Sequence, residues 1–368
     1  MKRSLDAYVN NRDNNFNLLR FIAAVLVLYS HSFALTLGPE NPDPLKGIIG
    51  MTWGNIAVDL FFITSGFLIA GSYFVRNHLI AFLWARFLRI FPALIVALLF
   101  SVFVIGAFFT TLPLSEYFSD NQTIKYFFKN AVLIFGAEYQ LPGVFADTPW
   151  KNLVNGSLWT LPYELRMYLL LVIVIVAFSF LTKKTNSDSM KNIFLTLALL
   201  SVTLNIVSHH LYDDPSKFLN LFSMFFVGSA FYVWREKIVL IDSVFYVSLM
   251  LLLVSSFNHE FFFTVYAVVL PYMVFYIAYV PSGKIRQFNN YGDYSYGIYI
   301  YSCLIQQSLA SLIDDISVTT MIVVPFFITL FLAYLSWHLV EKRFLKLKGS
   351  YIYLERIFYR LQRSKNVA

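Results

Sequence analysis

The chain has 368 residues, of which 58% are hydrophobic and 13% are charged, with a formal net charge of +7. Soluble domains carry about 25% charged residues, so the polar residues here are too few to coat a globule and lipid must cover much of the surface. The composition therefore excludes a nucleic-acid-binding protein despite the positive charge. The chain has one cysteine, Cys303, which excludes a disulfide framework and a CxxC metal site.

Apolar segments of membrane-spanning length, which need about 20 residues each, recur along the whole chain. We place ten, at residues 17–37, 55–75, 90–112, 158–181, 192–208, 219–234, 238–257, 261–280, 294–312 and 317–340. Nine or eleven spans stay open, because the fifth and sixth segments are short and only three residues separate the seventh from the eighth. The stretch Ile124–Phe135 is too short to cross and predicts a re-entrant or interfacial helix. The predicted fold class is an all-α polytopic membrane protein.

The distribution of basic residues tests this layout, because cytoplasmic segments near span ends are rich in Lys and Arg. With the N-terminus inside, 22 of the 28 Lys and Arg residues lie on the inner side, five lie outside, and Arg166 lies within the fourth span. We therefore expect both termini to be cytoplasmic. The predicted units are a cytoplasmic leader (1–16), a membrane domain (17–345) and a basic tail (346–368). The tail is either an amphipathic segment drawn to anionic lipid or a solvated topology anchor.

Ionisable residues inside spans are costly and mark candidate functional sites. Arg20 and His31 lie eleven positions apart on the first span, which is three helical turns plus about 20° and about 16 Å of rise. Both side chains are thus expected on the same helix face at different depths. Taken alone, Arg20 is equally consistent with a snorkelling anchor, whereas the depth of His31 favours function over a purely structural hydrogen bond.

The second span contains Asp59 near its outer end and the small pair Ser65 and Gly66 half-way down. An unpaired carboxylate in hydrocarbon would take up a proton, so we expect a partner for Asp59 such as His31 or a backbone amide. For Ser65 and Gly66, close helix packing is the slightly favoured interpretation.

Two further patterns hold candidate residues. Arg86 and Arg89, at i and i+3, share a helix face, and two adjacent guanidinium groups suit phosphate, although topology alone also explains arginines here. Pro92 marks either a kink or the first turn of the third span. In the fourth span Glu164 and Tyr168 share a face, and a carboxylate beside aromatic rings is typical of sugar sites. Metal-ligand spacing, a P-loop and GxSxG are not present in the sequence, so no metal is expected.

Six motifs, in their order along the chain, match those of a known protein family. They are Arg20 and His31 as R-x10-H, VDLFFITSGFLI (Val58–Ile69), RxxRIFP (Arg86–Pro92), SLWTLPYE ending at Glu164, SYGIYI (Ser295–Ile300) and VEK (Val340–Lys342). Over about residues 13 to 345 the chain resembles the integral-membrane acyltransferase-3 family, which transfers acyl groups, usually acetyl, onto sugars of bacterial surface glycans. It departs from the family pattern at Tyr301-Ser302, where a histidine is common, and at Arg343, where a proline is common.

The resemblance implies that His31 is the catalytic residue, with Arg20 aligned beneath it and Arg86 and Arg89 handling the acyl donor. Cytoplasmic acetyl-CoA is the implied donor, with Ser65 included in its site. A lipid-linked or polymerised sugar is then expected to present its hydroxyl from the outer side, near Asp59 and Glu164. His31 either removes the hydroxyl proton or holds the acyl group as acyl-imidazole.

These inferences predict a stand-alone O-acyltransferase of the bacterial inner membrane, in contact with membrane lipid and a glycan acceptor. A transporter or flippase for a lipid-linked sugar is the main alternative, and a non-catalytic membrane scaffold is the second. The acceptor stays open between O-antigen, exopolysaccharide, lipochitooligosaccharide and an antibiotic sugar, and the sequence leaves donors longer than acetyl and the oligomeric state undecided.

Overall fold

The structure, a computed structural model, describes residues 3–9, 13–182, 188–353 and 355. Most of these residues are helical, and two short strands, β1 (Arg3–Ser4) and β2 (Val239–Leu240), pair antiparallel. The helices in chain order are α1 (Asp6–Val9), α2 (Phe16–Leu37), α3 (Leu45–Ile49), α4 (Trp53–Arg76), α5 (Leu79–Leu99), α6 (Ala107–Phe109), α7 (Leu114–Ser119), α8 (Asn121–Val132), α9 (Leu161–Thr182), α10 (Asp188–Leu211), α11 (Lys217–Val233), α12 (Asp242–Ser255), α13 (His259–Tyr279), α14 (Ser295–Leu312), α15 (Val318–Ser336) and α16 (Lys342–Leu345).

Non-α helical turns link several of these helices. A π-helical segment (Phe100–Gly106) joins α5 to α6, and a second one (Trp337–Glu341) joins α15 to α16. Tighter 3₁₀ turns cover Gly156–Thr160, Gly283–Asn290 and Lys346–Ser350. The first of these 3₁₀ turns leads directly into α9 and becomes part of the functional site.

The predicted fold class is confirmed, since each of the ten predicted segments coincides with a helix. Among the described residues, seven helical segments are long and apolar enough to cross a bilayer, while α11 and α12 are shorter apolar helices. Helix α8 confirms the predicted helix in the long connection, although it runs from Asn121 to Val132. The third segment begins at Leu79 rather than at residue 90. Pro92 therefore lies inside a continuous helix, and its placement in a first turn is wrong.

Helix α14 occupies the centre of the bundle. Fourteen of its 18 residues are buried, and it packs against α2 and α15. Because protein rather than lipid surrounds it, polar side chains are tolerated once they are paired. The Gln306 amide donates to the Leu28 carbonyl at 2.9 Å and to the Ser32 hydroxyl at 2.8 Å. The polarity of α14 is thus a sign of its central position.

Glycines allow α4 and α11 to approach each other closely. A Cβ added at Gly66 would lie 1.9 Å from the Phe225 carbonyl oxygen, and one added at Gly228 would lie 2.1 Å from the Ile63 carbonyl oxygen. Both neighbours are backbone atoms and cannot move aside. The packing interpretation of Gly66 is therefore confirmed.

The C-terminal basic segment folds back on the bundle. The Trp84 indole of α5 donates to the Leu347 carbonyl at 3.0 Å and to the Ser350 hydroxyl at 3.1 Å. These contacts bind residues 346–350 to α5. This part of the basic tail is therefore packed against the bundle and is not a freely solvated anchor. Residues 354 and 356–368 of the predicted tail lie outside the described residues, as do residues 1, 2 and 10–12 of the leader.

Candidate active site

Three of the predicted arginines line one cavity, which we name the arginine cavity. It measures about 90 Å³ and is bounded by α2, α4, α5, α9 and α14. Its lining residues are Arg20, Val58, Phe61, Phe62, Ser65, Leu68, Ile69, Arg86, Arg89, Ile90, Thr160, Leu161, Glu164, Tyr168, Ser295, Tyr296 and Tyr299. The structure thus brings together Arg20, Arg86, Arg89, Ser65 and Glu164, which come from four separate helices.

Asp293, just before α14, holds two of these arginines in place. Its Oδ2 accepts from Arg20 at 3.0 Å and from Arg89 at 2.5 Å, and its Oδ1 accepts from the Ser295 hydroxyl. Burial on its own would raise the pKa of this carboxyl, but the charges of Arg20 and Arg89 outweigh it and hold the pKa well below its usual range. Asp293 therefore stays ionised and fixes α2, α5 and α14 relative to one another.

Glu341 is the second carboxylate in this network. It accepts from Arg89 at 3.3 Å and from the Ser336 hydroxyl at 3.0 Å, and its side chain is 2% exposed. Both terminal guanidinium nitrogens of Arg89 therefore donate to protein carboxylates. The expected use of its fork for a phosphate does not match this geometry.

Arg86 differs from its two neighbours. Within the described part of the chain it forms neither an ion pair nor a hydrogen bond, and its guanidinium carbon lies 6.0 Å from the centre of the Phe82 ring. The carboxylate of Glu164 and the positive charges of Arg76 and Lys348 lie within electrostatic range of it. Among the described residues, Arg86 is thus the arginine of this cavity that no carboxylate binds directly, which leaves it suited to an anion.

Glu164, Tyr168 and Ser65 form a chain of hydrogen bonds on the opposite wall. The Tyr168 hydroxyl donates to Glu164 Oε1, as the i, i+4 spacing predicts, and lies 3.4 Å from the Ser65 hydroxyl. Ser65 is therefore more than a packing residue, because its side chain reaches the cavity. Glu164 lines the arginine cavity with the arginines and is absent from the lining of the histidine cavity, and its role beside the acceptor stays a prediction.

His31 lines a second cavity of about 420 Å³, which we name the histidine cavity. Its lining residues are His31, Leu35, Tyr139, Gln140, Trp150, Lys151, Asn152, Leu153, Gly156, Trp159, Lys217 and Cys303. The Nδ1 atom of His31 is buried and has no hydrogen-bond partner among the described residues. The ring therefore faces a cavity lined by protein side chains, several of them polar, rather than lipid. Arg20 and His31 point into the bundle at two depths, as their spacing predicts.

The 3₁₀ turn Gly156–Thr160 forms the wall between the two cavities. Gly156 and Trp159 line the histidine cavity, whereas Thr160 lines the arginine cavity and its hydroxyl lies 2.7 Å from the Tyr299 hydroxyl. In the part of the chain that the structure describes, no residue lines both cavities. The turn therefore contributes residues to both cavities, and Thr160 and Tyr299 both lie on the arginine side of it.

Asp59 lies outside both sets of lining residues. The Asn220 amide donates to its Oδ1 at 2.7 Å and the Tyr266 hydroxyl donates to its Oδ2 at 2.9 Å. The expectation that Asp59 has a partner is confirmed, but the partners are side chains of α11 and α13 rather than His31 or a backbone amide. The carboxylate ties α4 to these two helices.

Sequence reasoning missed Asp293 and did not use Glu341. Both lie within or beside motifs that it identified, since Asp293 lies two positions before SYGIYI and Glu341 is the acidic residue of VEK. The available signal was charge balance: partly buried arginines require carboxylates. Among the described residues, no group of three or more His, Cys, Asp or Glu side chains could hold a metal ion.

Comparison with known proteins gives three findings. A family model described as an acyltransferase domain, Acyl_transf_3, matches residues 13–339. The chain is 29% identical over 351 residues to an O-acetyl transferase of Shigella phage Sf6, covering 91% of this chain and 97% of that protein. It is 33% identical over 168 residues to Nodulation protein 10 of Rhizobium leguminosarum bv. viciae, covering 43% of each chain. No solved structure matches the chain.

Proposed function

Since the chain belongs to the membrane acyltransferase family defined by this domain, we propose that it transfers an acetyl group from acetyl-CoA to a hydroxyl of a cell-surface glycan or its lipid-linked precursor. The observation that carries this proposal is the arrangement of the two cavities. Three arginines line one of them, the His31 imidazole lines the other, and the turn Gly156–Thr160 contributes residues to both. The name of the phage relative, an O-acetyl transferase, supports acetyl as the acyl group.

The donor is assigned to the arginine cavity. Coenzyme A carries several phosphate charges, and Arg86 offers unpaired guanidinium donors with Arg76 and Lys348 nearby. Arg20 and Arg89 bind Asp293 and stabilise the walls of the cavity. The excess of basic residues at this end of the bundle supports a cytoplasmic location, which is where acyl-CoA is available, and the bacterial inner membrane is the matching compartment.

The acceptor is assigned to the histidine cavity. Trp150, Trp159 and Tyr139 offer ring faces to a sugar, and Gln140 and Asn152 offer amide groups to its hydroxyls. His31 lies on this wall, where its imidazole is suited to take the hydroxyl proton near neutral pH. Asp59, bound by Asn220 and Tyr266, is assigned a positioning role rather than a catalytic one.

The proposed reaction transfers the acyl group from the thioester sulfur to the acceptor oxygen. The acceptor oxygen attacks the thioester carbonyl as His31 takes its proton, the carbon–sulfur bond breaks, and the coenzyme A thiolate leaves and is protonated. Transfer by way of acyl-imidazole divides this exchange into two steps with the same products. In either case the acyl group must move from the arginine cavity to the histidine cavity, so we propose that the turn Gly156–Thr160, which contributes residues to both, shifts during turnover.

Donor kinetics test this assignment. Arg86→Gln removes one charge-assisted phosphate contact, which is worth about 1.5–3 kcal/mol. The KM for acetyl-CoA should rise about tenfold or more, while Arg343→Gln, an exposed change outside both cavities, should leave it unchanged. Radiolabelled acetyl transfer to an envelope fraction, with mass spectrometry of the glycan, measures both variants. A purified protein that neither binds nor consumes acetyl-CoA would favour the transporter alternative.

A further inference from the structure

The histidine cavity has a positive charge that acyl transfer to a neutral sugar does not require. Its lining includes Lys151 and Lys217, and among the described lining residues there is no carboxylate. The Lys217 ammonium group lies 5.8 Å from the centre of the Trp159 ring. Within the described part of the chain neither lysine forms an ion pair.

Carboxylates elsewhere near the cavity do not offset these two lysines. Glu138 precedes the lining residue Tyr139 but binds Lys125 at 3.0 Å and Lys129 at 3.3 Å. These lysines lower the pKa of Glu138 against the opposing effect of burial, so its charge is already paired. Asp147, Asp213 and Asp214 lie in the flanking loops, but they are absent from the cavity lining and from the ion pairs of the described residues. The described lining of the cavity therefore carries two lysines and no carboxylate.

The remaining walls indicate a sugar. Tyr139, Trp150 and Trp159 provide aromatic faces, and Gln140 and Asn152 provide donors and acceptors for hydroxyl groups. A cavity with mostly apolar walls and a few converging polar groups is the usual form of a small-molecule site. The two lysines add an anion requirement to this sugar-like lining.

We propose that the acceptor is an anionic glycan, with a carboxylate or a phosphate on or next to the sugar that is acetylated. Lys151 and Lys217 are the specificity-determining residues, and they contact the anionic substituent while the aromatic residues contact the ring. This inference rests on the proposed function, because it takes the histidine cavity as the acceptor site.

Binding without donor tests the inference separately from catalysis. Isothermal titration of the purified full-length protein in detergent micelles would compare tetragalacturonate with neutral galactotetraose, and glucose 1-phosphate with methyl glucoside. Two exposed ion pairs of up to about 1 kcal/mol each predict about tenfold tighter binding of the charged member. The preference should weaken at high salt. The pair with the larger preference identifies carboxylate or phosphate as the anion.

Variants then assign the preference to residues. In the double variant Lys151→Gln and Lys217→Gln the preference should fall to about onefold while neutral binding is unchanged. Lys46→Gln removes a lysine of α3 that is not part of the cavity lining, and it should keep the preference. Equal affinity for charged and neutral probes, a preference that survives the double variant, or failure to bind any probe would overturn the inference. None of these results bears on acetyl-CoA-dependent transfer, which the donor kinetics test independently.

Discussion

Replacing Asp293 with Asn tests whether this carboxylate holds the arginine cavity together. The side chains involved are largely buried, with Arg20 at 24%, Arg89 at 15% and Asp293 at 10% exposure. Removing one member of a buried ion pair costs about 3–5 kcal/mol. Because Arg89 keeps Glu341 at 3.3 Å, we expect the lower end, a loss of about 3 kcal/mol in the free energy of unfolding.

The matched control is Asp13→Asn. Asp13 also binds an arginine, Arg286, but its side chain is 61% exposed, so the same chemical change should cost at most about 1 kcal/mol. Unfolding of both variants in mixed micelles, followed by circular dichroism during detergent titration, gives the comparison. Equal losses for the two variants would refute the argument that burial makes the Asp293 network important.

The pH dependence of this difference provides a second readout. The folded-state pKa of Asp293 is held below its usual value of about 3.9. The stability that it contributes is therefore complete above that value and is lost as the pH falls toward the lowered pKa. We expect the gap between wild type and Asp293→Asn to shrink as the pH falls below about 4. A gap that stays unchanged down to about pH 2 would contradict the assignment.

Three further predictions concern other parts of the bundle. Gly66→Ala forces a Cβ to within 1.9 Å of the Phe225 carbonyl oxygen, so it should lower stability by at least about 1–3 kcal/mol. Gly47→Ala is the control and should leave stability unchanged, because the space around its Cβ is open. Equal melting temperatures of the two variants would refute the close-packing account. Asp59→Ala leaves the donors of Asn220 and Tyr266 buried without an acceptor and should cost about 1–3 kcal/mol, with donor affinity unchanged in a binding titration; a selective loss of catalysis at full stability would instead place Asp59 in the reaction. Glu138→Gln should lower stability by up to about 1 kcal/mol above about pH 4, and the difference should disappear as the pH falls through the lowered pKa of Glu138.

Periodicity and charge were sufficient to predict the helices and the shared face of Arg20 and His31. These features depend on local spacing along one helix, which the sequence contains directly. The pairing of Glu164 with Tyr168 was predictable for the same reason, because both residues lie one turn apart on α9.

Contacts between distant helices could not be predicted in the same way. The sequence indicates that Asp59 needs a partner and suggests His31 or a backbone amide, but its partners Asn220 and Tyr266 lie 161 and 207 positions further along the chain. Two carboxylates and three arginines allow several pairings, and only the packing of α14 against α2 and α5 selects Asp293 as the partner of Arg20 and Arg89. The division into two cavities likewise depends on the 3₁₀ turn before α9. Asn155 and Gly156 mark a turn here locally, but the position of the turn between two cavities depends on helix packing that the sequence does not show.

The central claim is that His31 acts on the acceptor hydroxyl from the histidine cavity. The most direct test compares the rates at which purified wild type and His31→Ala transfer acetyl from radiolabelled acetyl-CoA to the native glycan. The two proteins must be shown to have equal stability and equal affinity for the donor. General-base catalysis by an imidazole contributes about 10²–10⁴-fold. We therefore predict a fall of at least about 10²-fold in the transfer rate, whereas transfer by His31→Ala at the wild-type rate would contradict the account.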